Sequence, residues 1–433
     1  MCESRTSVPA GQVPQGWEVR RLEQMIEVLD HMRVPISAEE RFKRQGTVPY
    51  YGANGHQGWI DDYLFDEPLV LIAEDGGNFD DFASRPIAYK ISGKSWVNNH
   101  AHILRAKNGN KLDFIFFTLA HKDIRRYIAG STRSKLTQRE LKSIEVLTPL
   151  SPAEQSRIAA VLDTVDEAIA KTEAVIAKLK EVRAGLLHDL LTRGLDEHGQ
   201  LRDPVAHLEQ FQDSPLGRIP REWRFCRLGD VLQTQPRNGY SPQEAPAFRN
   251  GYILGLGCLT SDGFAPVQLK NAPMDAGLDR FLLHDGDLLI SRSNTRELVA
   301  LPGIFSDVGY PCYYPDLMMR LVPKPELSAE FLELILRYSV SRTWLVASAT
   351  GTSGTMVKIT GAGVMQIPVA FPPRNESHEQ QRMLAVRNAV NDEVRALLQE
   401  LTKLKSLKSG LMDDLLTGRV RVPESITDGG RHT

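Results

Sequence analysis

Apolar residues recur at alternating steps of four and three along two long stretches of this chain. The first runs Ile158, Leu162, Val165, Ile169, Thr172, Ile176, Leu179, Arg183, Leu186, Leu190, and the second Met383, Arg387, Val390, Val394, Leu397, Leu401, Leu404, Lys408, Leu411, Leu415. Sustained over about four heptads, such a stripe is narrower than the apolar face of a helix lying on a globular core, and it predicts the seam of a coiled coil. Arg183 and Lys408 interrupt the two seams at the same repeat position, either as long stems that cover apolar surface while their charges reach water or as residues that fix the register. Ser151-Pro152 and Asn375-Glu376 stand where caps belong, and Gly194 and Gly418 where helices stop. About 40 residues at 1.5 Å each make rods of about 60 Å. Two such rods in one chain are expected to pair with each other, and antiparallel pairing would put the globular segments that precede them at opposite ends of a pseudo-two-fold arrangement.

The two stretches are also copies of one another. Residues 154–192 align without a gap to 379–417 at an offset of 225, with 15 of 39 positions identical, against roughly two or three from average composition. Upstream, VPQGWEVRRL (13–22) echoes IPREWRFCRL (219–228) at an offset of 206. Each copy therefore begins on a tryptophan-containing entry segment and ends on a long helix. A period above about 200 residues argues for two large units rather than a solenoid. The segments between, 31–150 and 237–372, look unrelated in sequence, so a duplicated frame carries two different inserts.

Both inserts read as short strands and turns followed by a helix. The first offers VPYYGANGHQGWI, LVLIAEDGG, IAYKISG and SWVNNHAHILRA, then a helix near 112–129; the second offers YILGLGCL, DGDLLISRSN and YYPDLMMRLVP, then a helix near 328–347. After each helix comes a loop of glycines, hydroxyls and a cation, GSTRSKL (130–136) and GTSGTMVKI (351–359), and then a strand ending in prolines. Such a loop suits contacts to a nucleic-acid backbone, with Arg133, Lys135 or Lys358 on phosphate. An ordinary surface loop has the same composition, and only the recurrence in both halves favours the former.

With 433 residues, two or three domains each have enough chain to bury a core, and the repeat favours two. A hydrophobic fraction of 42% with 24% charged residues is that of a globular protein, and no apolar run reaches the ~18 residues of a membrane span. The N-terminus lacks the apolar core of a signal peptide. Four scattered cysteines without a C-x-x-C pair point to a reducing cytoplasm and away from a zinc knuckle. The net charge of −2 is the awkward datum, because nucleic-acid binding usually shows as a basic domain. Any such role must rest on local cation placement or on a partner's charge.

The strings PYYGANGHQGWIDDYLFDEPLVLIAEDGGN and WVNNHAHIL, the run GSTRSKLTQRELKSIEVLTPLSPAEQSRI, and the helices that open on Glu-Gln and close on DLLT resemble the DNA-specificity subunit of type I restriction-modification systems. The resemblance spans residues 12–420. It implies an α+β protein with a first target-recognition domain at 12–150, a first conserved spacer helix and linker at 151–200, a second target-recognition domain at 213–372 and a second spacer helix at 373–420. Each recognition domain would read one half of a bipartite site in double-stranded DNA, while the antiparallel helices space them and dock two methyltransferase subunits, with two motor-nuclease restriction subunits joining. The family is not catalytic by itself, so S-adenosylmethionine, ATP and Mg are expected in the partner subunits and no cofactor in this chain. The other reading of the residues is a scaffold whose two inserts bind protein ligands.

Recognition domains diverge too far for base-reading residues to carry over, so candidates come from side-chain chemistry. Asn or Gln suits adenine in the major groove and Arg suits guanine. The first insert offers Tyr51, Asn54, His56, Gln57, Asn98, Asn99 and His100; the second offers Arg237, Arg292, Ser293, Asn294 and Arg296. AYKISGKS (88–95) fits a loose phosphate-loop pattern, but the residues after Lys94 and Ser95 alternate like a strand and no helix follows to face an anion. Asn98, Asn99, His100 and His102 lack metal-ligand spacing and read as turn polar groups. Glu74-Asp75-Gly76-Gly77 and Asp285-Gly286-Asp287 read first as turns rather than as acid/base pairs. No catalytic or metal constellation is evident.

Overall fold

Each stretch of 4–3 spacing is one continuous helix, Pro152–Arg193 and Glu379–Leu415, in a computed structural model that describes residues 13–130, 134–351, 356–373 and 378–425. All twenty seam positions are buried or half-buried, while residues between them in the middle turns, such as Val175, Lys178 and Leu398, are exposed. The first helix opens on Pro152, whose missing N–H costs nothing at that position, and the Ser151 carbonyl accepts from the amides of Glu154 and Gln155. Both helices stop where a glycine takes the left-handed conformation, Gly194 at φ 63° and Gly418 at φ 68°. The expected cap at Asn375-Glu376 lies outside the described residues.

The chain divides into two compact units, and the division passes through both helices. Unit 1 comprises residues 1–174 and 398–433, and unit 2 residues 175–397. Thus each unit holds one insert, one half of its own helix and one half of the other. In unit 1, Lys408 pairs with Asp166 at 2.6 Å and Lys405 with Glu173 at 2.8 Å, so the two helical segments run antiparallel. Ile158 and Leu162 from one segment and Met412 and Leu415 from the other enter the same core as Ile72, Leu104, Phe114 and Phe117. In unit 2, Leu190 and Met383 join Ile290, Met319, Phe331 and Ile335. The three seam cations are all ion-paired, Lys408 to Asp166, Arg183 to Asp262 at 3.1 Å and Arg387 to Glu333 at 3.5 Å.

The repeated sequence signals all converge on one joint in each unit. In unit 1 the entry strand Trp17–Arg21 pairs with Glu145–Pro149. The Trp17 indole donates to Glu154 at 3.3 Å, and Arg421, beyond the end of the second helix, meets the same carboxylate at 2.5 Å. In unit 2 the strand Arg224–Arg227 pairs with Pro368–Phe371. There the Trp223 indole donates to Glu379 at 3.3 Å, and Arg202, beyond the end of the first helix, meets it at 2.7 Å. The neighbouring glutamines complete each joint. Gln155 donates to the Pro149 carbonyl and accepts from the Lys111 amide; Gln380 donates to the Pro372 carbonyl and accepts from the Ser328 amide. A Cβ on Gly418 would stand 3.1 Å from the Trp17 ring, and one on Gly194 would stand 2.4 Å from the Glu379 carboxylate, which adds close packing to the conformational demand.

Although their sequences look unrelated, the inserts share a topology. In unit 1 a four-stranded antiparallel sheet has the order Ile26–Val28, Ala101–Ala106, Leu69–Ala73, Ala88–Ile91. In unit 2 the order is Arg237–Asn238, Met318–Leu321, Leu288–Ser291, Pro302–Ile304. Each is accompanied by a second sheet built on one parallel pair, Val48–Gly52 with Lys94–Val97 and Tyr252–Leu254 with Cys312–Tyr313. Two helix boundaries differ from the sequence reading. The helix begun at Leu112 stops at Ala120 instead of running to 129, as the chain turns to bury Ile124 and to bond the Asp123 carboxylate to Arg125. The helix expected near 328–347 is two, Ala329–Arg337 and Ser339–Ala347, because Tyr338 is extended between them and gives its hydroxyl to His188. Lys94 and Ser95 lie in a strand with no helix behind it, as their alternation indicates. Among the described residues no helix is long and apolar enough to cross a membrane.

Candidate nucleic-acid interface

In each insert, the end of the central strand meets the loop that follows the helix. In unit 1 the Leu136 amide donates to the Glu74 carbonyl at 2.8 Å, and Lys135 bridges Asp75. In unit 2 the Ile359 amide donates to the Arg292 carbonyl at 2.9 Å, and Lys358 pairs with Ser293. The strand registers agree as well, since Ile72 faces His102 and Ile290 faces Met319. Glu74 thus corresponds to Arg292, Asp75 to Ser293, Lys135 to Lys358 and His102 to Met319. The loops singled out by composition are the ones that build this junction.

The first junction gathers most of the candidates of its insert. Asn54 donates to the Gly76 carbonyl at 2.8 Å, His100 Nδ1 lies 2.8 Å from Asp75, and the Asn98 amide donates to Gln57 at 3.2 Å. Tyr51 packs edge-on against His56, which in turn packs against the exposed Trp59. Asn98 is buried and its carboxamide oxygen accepts from the His100 amide, so it shapes the turn; Asn54, His56, Gln57 and Asn99 are exposed. Arg133 lies outside the described residues. Lys135 reaches back to Glu74 at 3.0 Å.

Beneath this surface lies an ion cluster that the sequence did not disclose. His102 is 1% exposed; its Nε2 donates to the Leu136 carbonyl at 2.8 Å and its Nδ1 lies 2.5 Å from Asp30. Burial pushes the Asp30 carboxyl up, but the hydrogen bond and charge of His102, the Ile103 amide and Arg33 outweigh it and hold the group below its ordinary value. With an ionised carboxylate on one side and a carbonyl on the other, the imidazole donates from both nitrogens. Glu74 is likewise pushed up by burial and held down more strongly by its hydrogen bonds to Arg33 and Lys135 and by the His102 charge. Asp30, Glu74 and His102 place ligand-type atoms within 4.8 Å of one another. Yet Arg33, at 2.7 Å from Glu74, and Lys135 already neutralise the carboxylates, and both imidazole nitrogens are engaged. The set is an ion-pair network that ties the strand end, the turn at 98–101 and the loop at 134–136 together. His102, which the sequence suggested was a turn group, is therefore a buried member of this network. No spacing rule could have found it, because Asp30, Glu74 and His102 stand 28 to 72 residues apart.

The second junction has the same backbone and different chemistry. Arg292 is half-buried, held by its backbone between the Leu317 carbonyl and the Ile359 amide. Ser293 is buried with its hydroxyl unpartnered, an arrangement that costs about 1–3 kcal/mol while it lasts. Asn294 accepts from the Thr295 amide. Arg237 is exposed on the sheet's first strand, opposite Arg320, and Arg296 is exposed in the turn that Arg342 pins through the Glu297 and Val299 carbonyls. Among the described residues the side chains of Arg237, Arg292, Arg296 and Lys358 have no hydrogen-bond or ion-pair partner, whereas Arg320, Arg337 and Arg387 in the same unit are each paired with a carboxylate. The structure thus brings Arg292, Ser293, Asn294 and Lys358 together, with Arg237 and Arg296 on neighbouring segments.

Residues 14–181 match the family model described as the type I restriction modification DNA specificity domain. A putative type I restriction enzyme specificity subunit (MjaX) of Methanocaldococcus jannaschii is 24% identical over 438 residues, covering 95% of this chain and 95% of that protein. A putative type I restriction enzyme specificity subunit of Haemophilus influenzae is 24% identical over 370 residues, covering 84% and 86%. Among solved structures, the crystal structure of the S subunit of a type I restriction-modification system from M. genitalium superposes with a TM-score of 0.60 at 14% identity, covering 94% of this chain and 96% of that one, and so shares the fold. By its matched domain and its near full-length similarity, the chain is similar to the specificity subunits of type I restriction enzymes.

Proposed function

We propose that this chain is the non-catalytic specificity subunit of a cytoplasmic type I restriction-modification complex, reading a bipartite, asymmetric site in double-stranded DNA with one half assigned to each insert. The observation that carries this reading is the pair of junctions: one backbone arrangement, built twice, presents a neutralised amide- and carboxylate-bearing set in unit 1 and free cations in unit 2. A duplicated platform with unlike tips is what two unlike half-sites require. Polar side chains at each tip would reach base edges in the major groove. The cations Lys358, Arg237 and Arg296 would hold phosphates, which position without specifying. The long helices would dock two methyltransferase subunits and two motor-nuclease subunits. S-adenosylmethionine, ATP and Mg would reside in those partners, which would also supply part of the electrostatic grip that a net charge of −2 lacks.

The test is motif determination by methylation-sensitive sequencing of cells that carry the chain with its methyltransferase. The expected result is one asymmetric motif of two separated halves. Exchange of residues 237–372 for the matching insert of a relative should rewrite one half and spare the other. An exchange that rewrites both halves, or an absence of any sequence preference, would sink the reading in favour of a protein-binding scaffold.

A further inference from the structure

We propose that Arg292 reads a guanine in the half-site of the second insert, at a junction position where the first insert, carrying Glu74, reads none. This rests on the DNA-reading function proposed above and adds to it one residue, one base and one half-site. Three observations select Arg292. It corresponds through matched backbone hydrogen bonds and strand register to Glu74, the residue around which the first junction's ion network is organised. It is half-buried at a strand end, held through its own amide and carbonyl, so its Cα is fixed while its guanidinium has no hydrogen-bond or ion-pair partner among the described residues. The neighbouring Ser293 hydroxyl is buried and unpartnered, a second donor group left over at the same place.

A guanidinium presents two parallel N–H donors, and guanine is the base whose major-groove edge presents two acceptors, N7 and O6. Phosphate would also accept from arginine. The exposed Arg237, Arg296 and Lys358 suit that task better, since a phosphate contact needs reach rather than a fixed base. At the first junction the corresponding Glu74 carboxylate is an acceptor already held by Arg33 and Lys135, and it cannot donate to guanine at all.

The complex of the chain with its methyltransferase provides the test. Insert exchange first identifies which half of the motif belongs to residues 237–372, and that half should contain guanine. 7-Deazaguanine, which lacks the N7 acceptor, is then placed at each guanine of that half. The wild-type complex should lose about 10- to 100-fold in affinity at one position. Arg292→Met and Arg292→Ala, which have no donor for N7, should lose a similar factor on the natural site, be indifferent to the analogue at that position, and bind unrelated duplex as the wild type does. Arg296→Ala should weaken cognate and unrelated duplex alike. The analogue experiment on the wild type needs no variant to fold, and matching melting curves qualify the variants. A wild-type complex without sequence preference would overturn the functional reading itself. A sequence-specific complex whose second half lacks guanine, or whose analogue sensitivity survives in Arg292→Met, or whose Arg292 variants weaken all duplexes equally, would overturn this inference alone.

Discussion

At the scale of single residues, the energetics concentrate where charge is buried. Glu379 is 3% exposed and serves the Arg202 guanidinium, the Trp223 indole and the Leu195 amide at once. Removing it leaves Arg202 with only the long ion pair of 3.7 Å to the exposed Glu222, and breaking a buried pair in this way typically costs about 3–5 kcal/mol. Glu379→Ala should therefore lower the urea midpoint of unit 2 by a corresponding amount; a change under about 1 kcal/mol would show that water replaces the carboxylate. The Asp30, Glu74 and His102 network makes a prediction in pH. Both carboxyls are held below their ordinary values in the folded chain. The unfolded chain therefore binds protons first as pH falls, so the contribution is complete above the ordinary carboxylate range, near pH 4, and is lost as pH drops through the lower folded values. Asp30→Asn should remove part of that acid sensitivity while lowering stability at neutral pH, as followed by denaturation between pH 2 and 7. An unchanged acid profile would mean that the network contributes nothing to folding.

At the scale of elements, what could be read from sequence depended on how far a signal extends. Four heptads of alternating spacing average over local exceptions, so the seam was legible position by position, down to Arg183 and Lys408. The helix at 112–120 was too short for its end to be seen, and Tyr338 broke the other by a local extension that periodicity does not encode. The common topology of the inserts was hidden for another reason. Their strands are only two to six residues long, and a short strand is specified by burial rather than by a particular sequence. The junctions were half legible: composition found the loops, but the Asp30, Arg33 and His102 beneath them answer to contacts made across the sheet. Substitutions should grade by burial along the seam. Leu162 is fully buried and Leu179 only half-buried, so Leu162→Ala should cost about 2–5 kcal/mol and Leu179→Ala distinctly less. Gly194→Ala should exceed the ~1–2 kcal/mol of a left-handed residue, because the added methyl meets Glu379 and Trp223. Equal melting of Gly194→Ala and wild type would remove the joint from the account.

At the scale of the whole chain, the two units are interleaved in sequence rather than laid end to end. Unit 1 takes its first 174 residues from the N-terminal half and its last segment, from Leu398 onward, from the C-terminal end. That segment is part of its core and not an accessory. Met412, Leu415 and Val422 are 4–7% exposed within it, and Arg421 neutralises the buried Glu154 beside Trp17. Losing three buried side chains at about 1.5–3 kcal/mol each, together with one partner of a buried ion pair, would approach or exceed the 5–15 kcal/mol by which a domain is stable. A fragment ending at residue 174 should therefore fail to fold cooperatively, exposing apolar surface that binds a hydrophobic dye. Adding a peptide spanning residues 398–425 should restore a sigmoidal melt, and the same peptide with Arg421→Ala, Met412→Ala and Leu415→Ala should not. Cooperative folding of the fragment alone would show instead that unit 1 is complete without the C-terminal segment, and that the helix pairing serves assembly rather than folding.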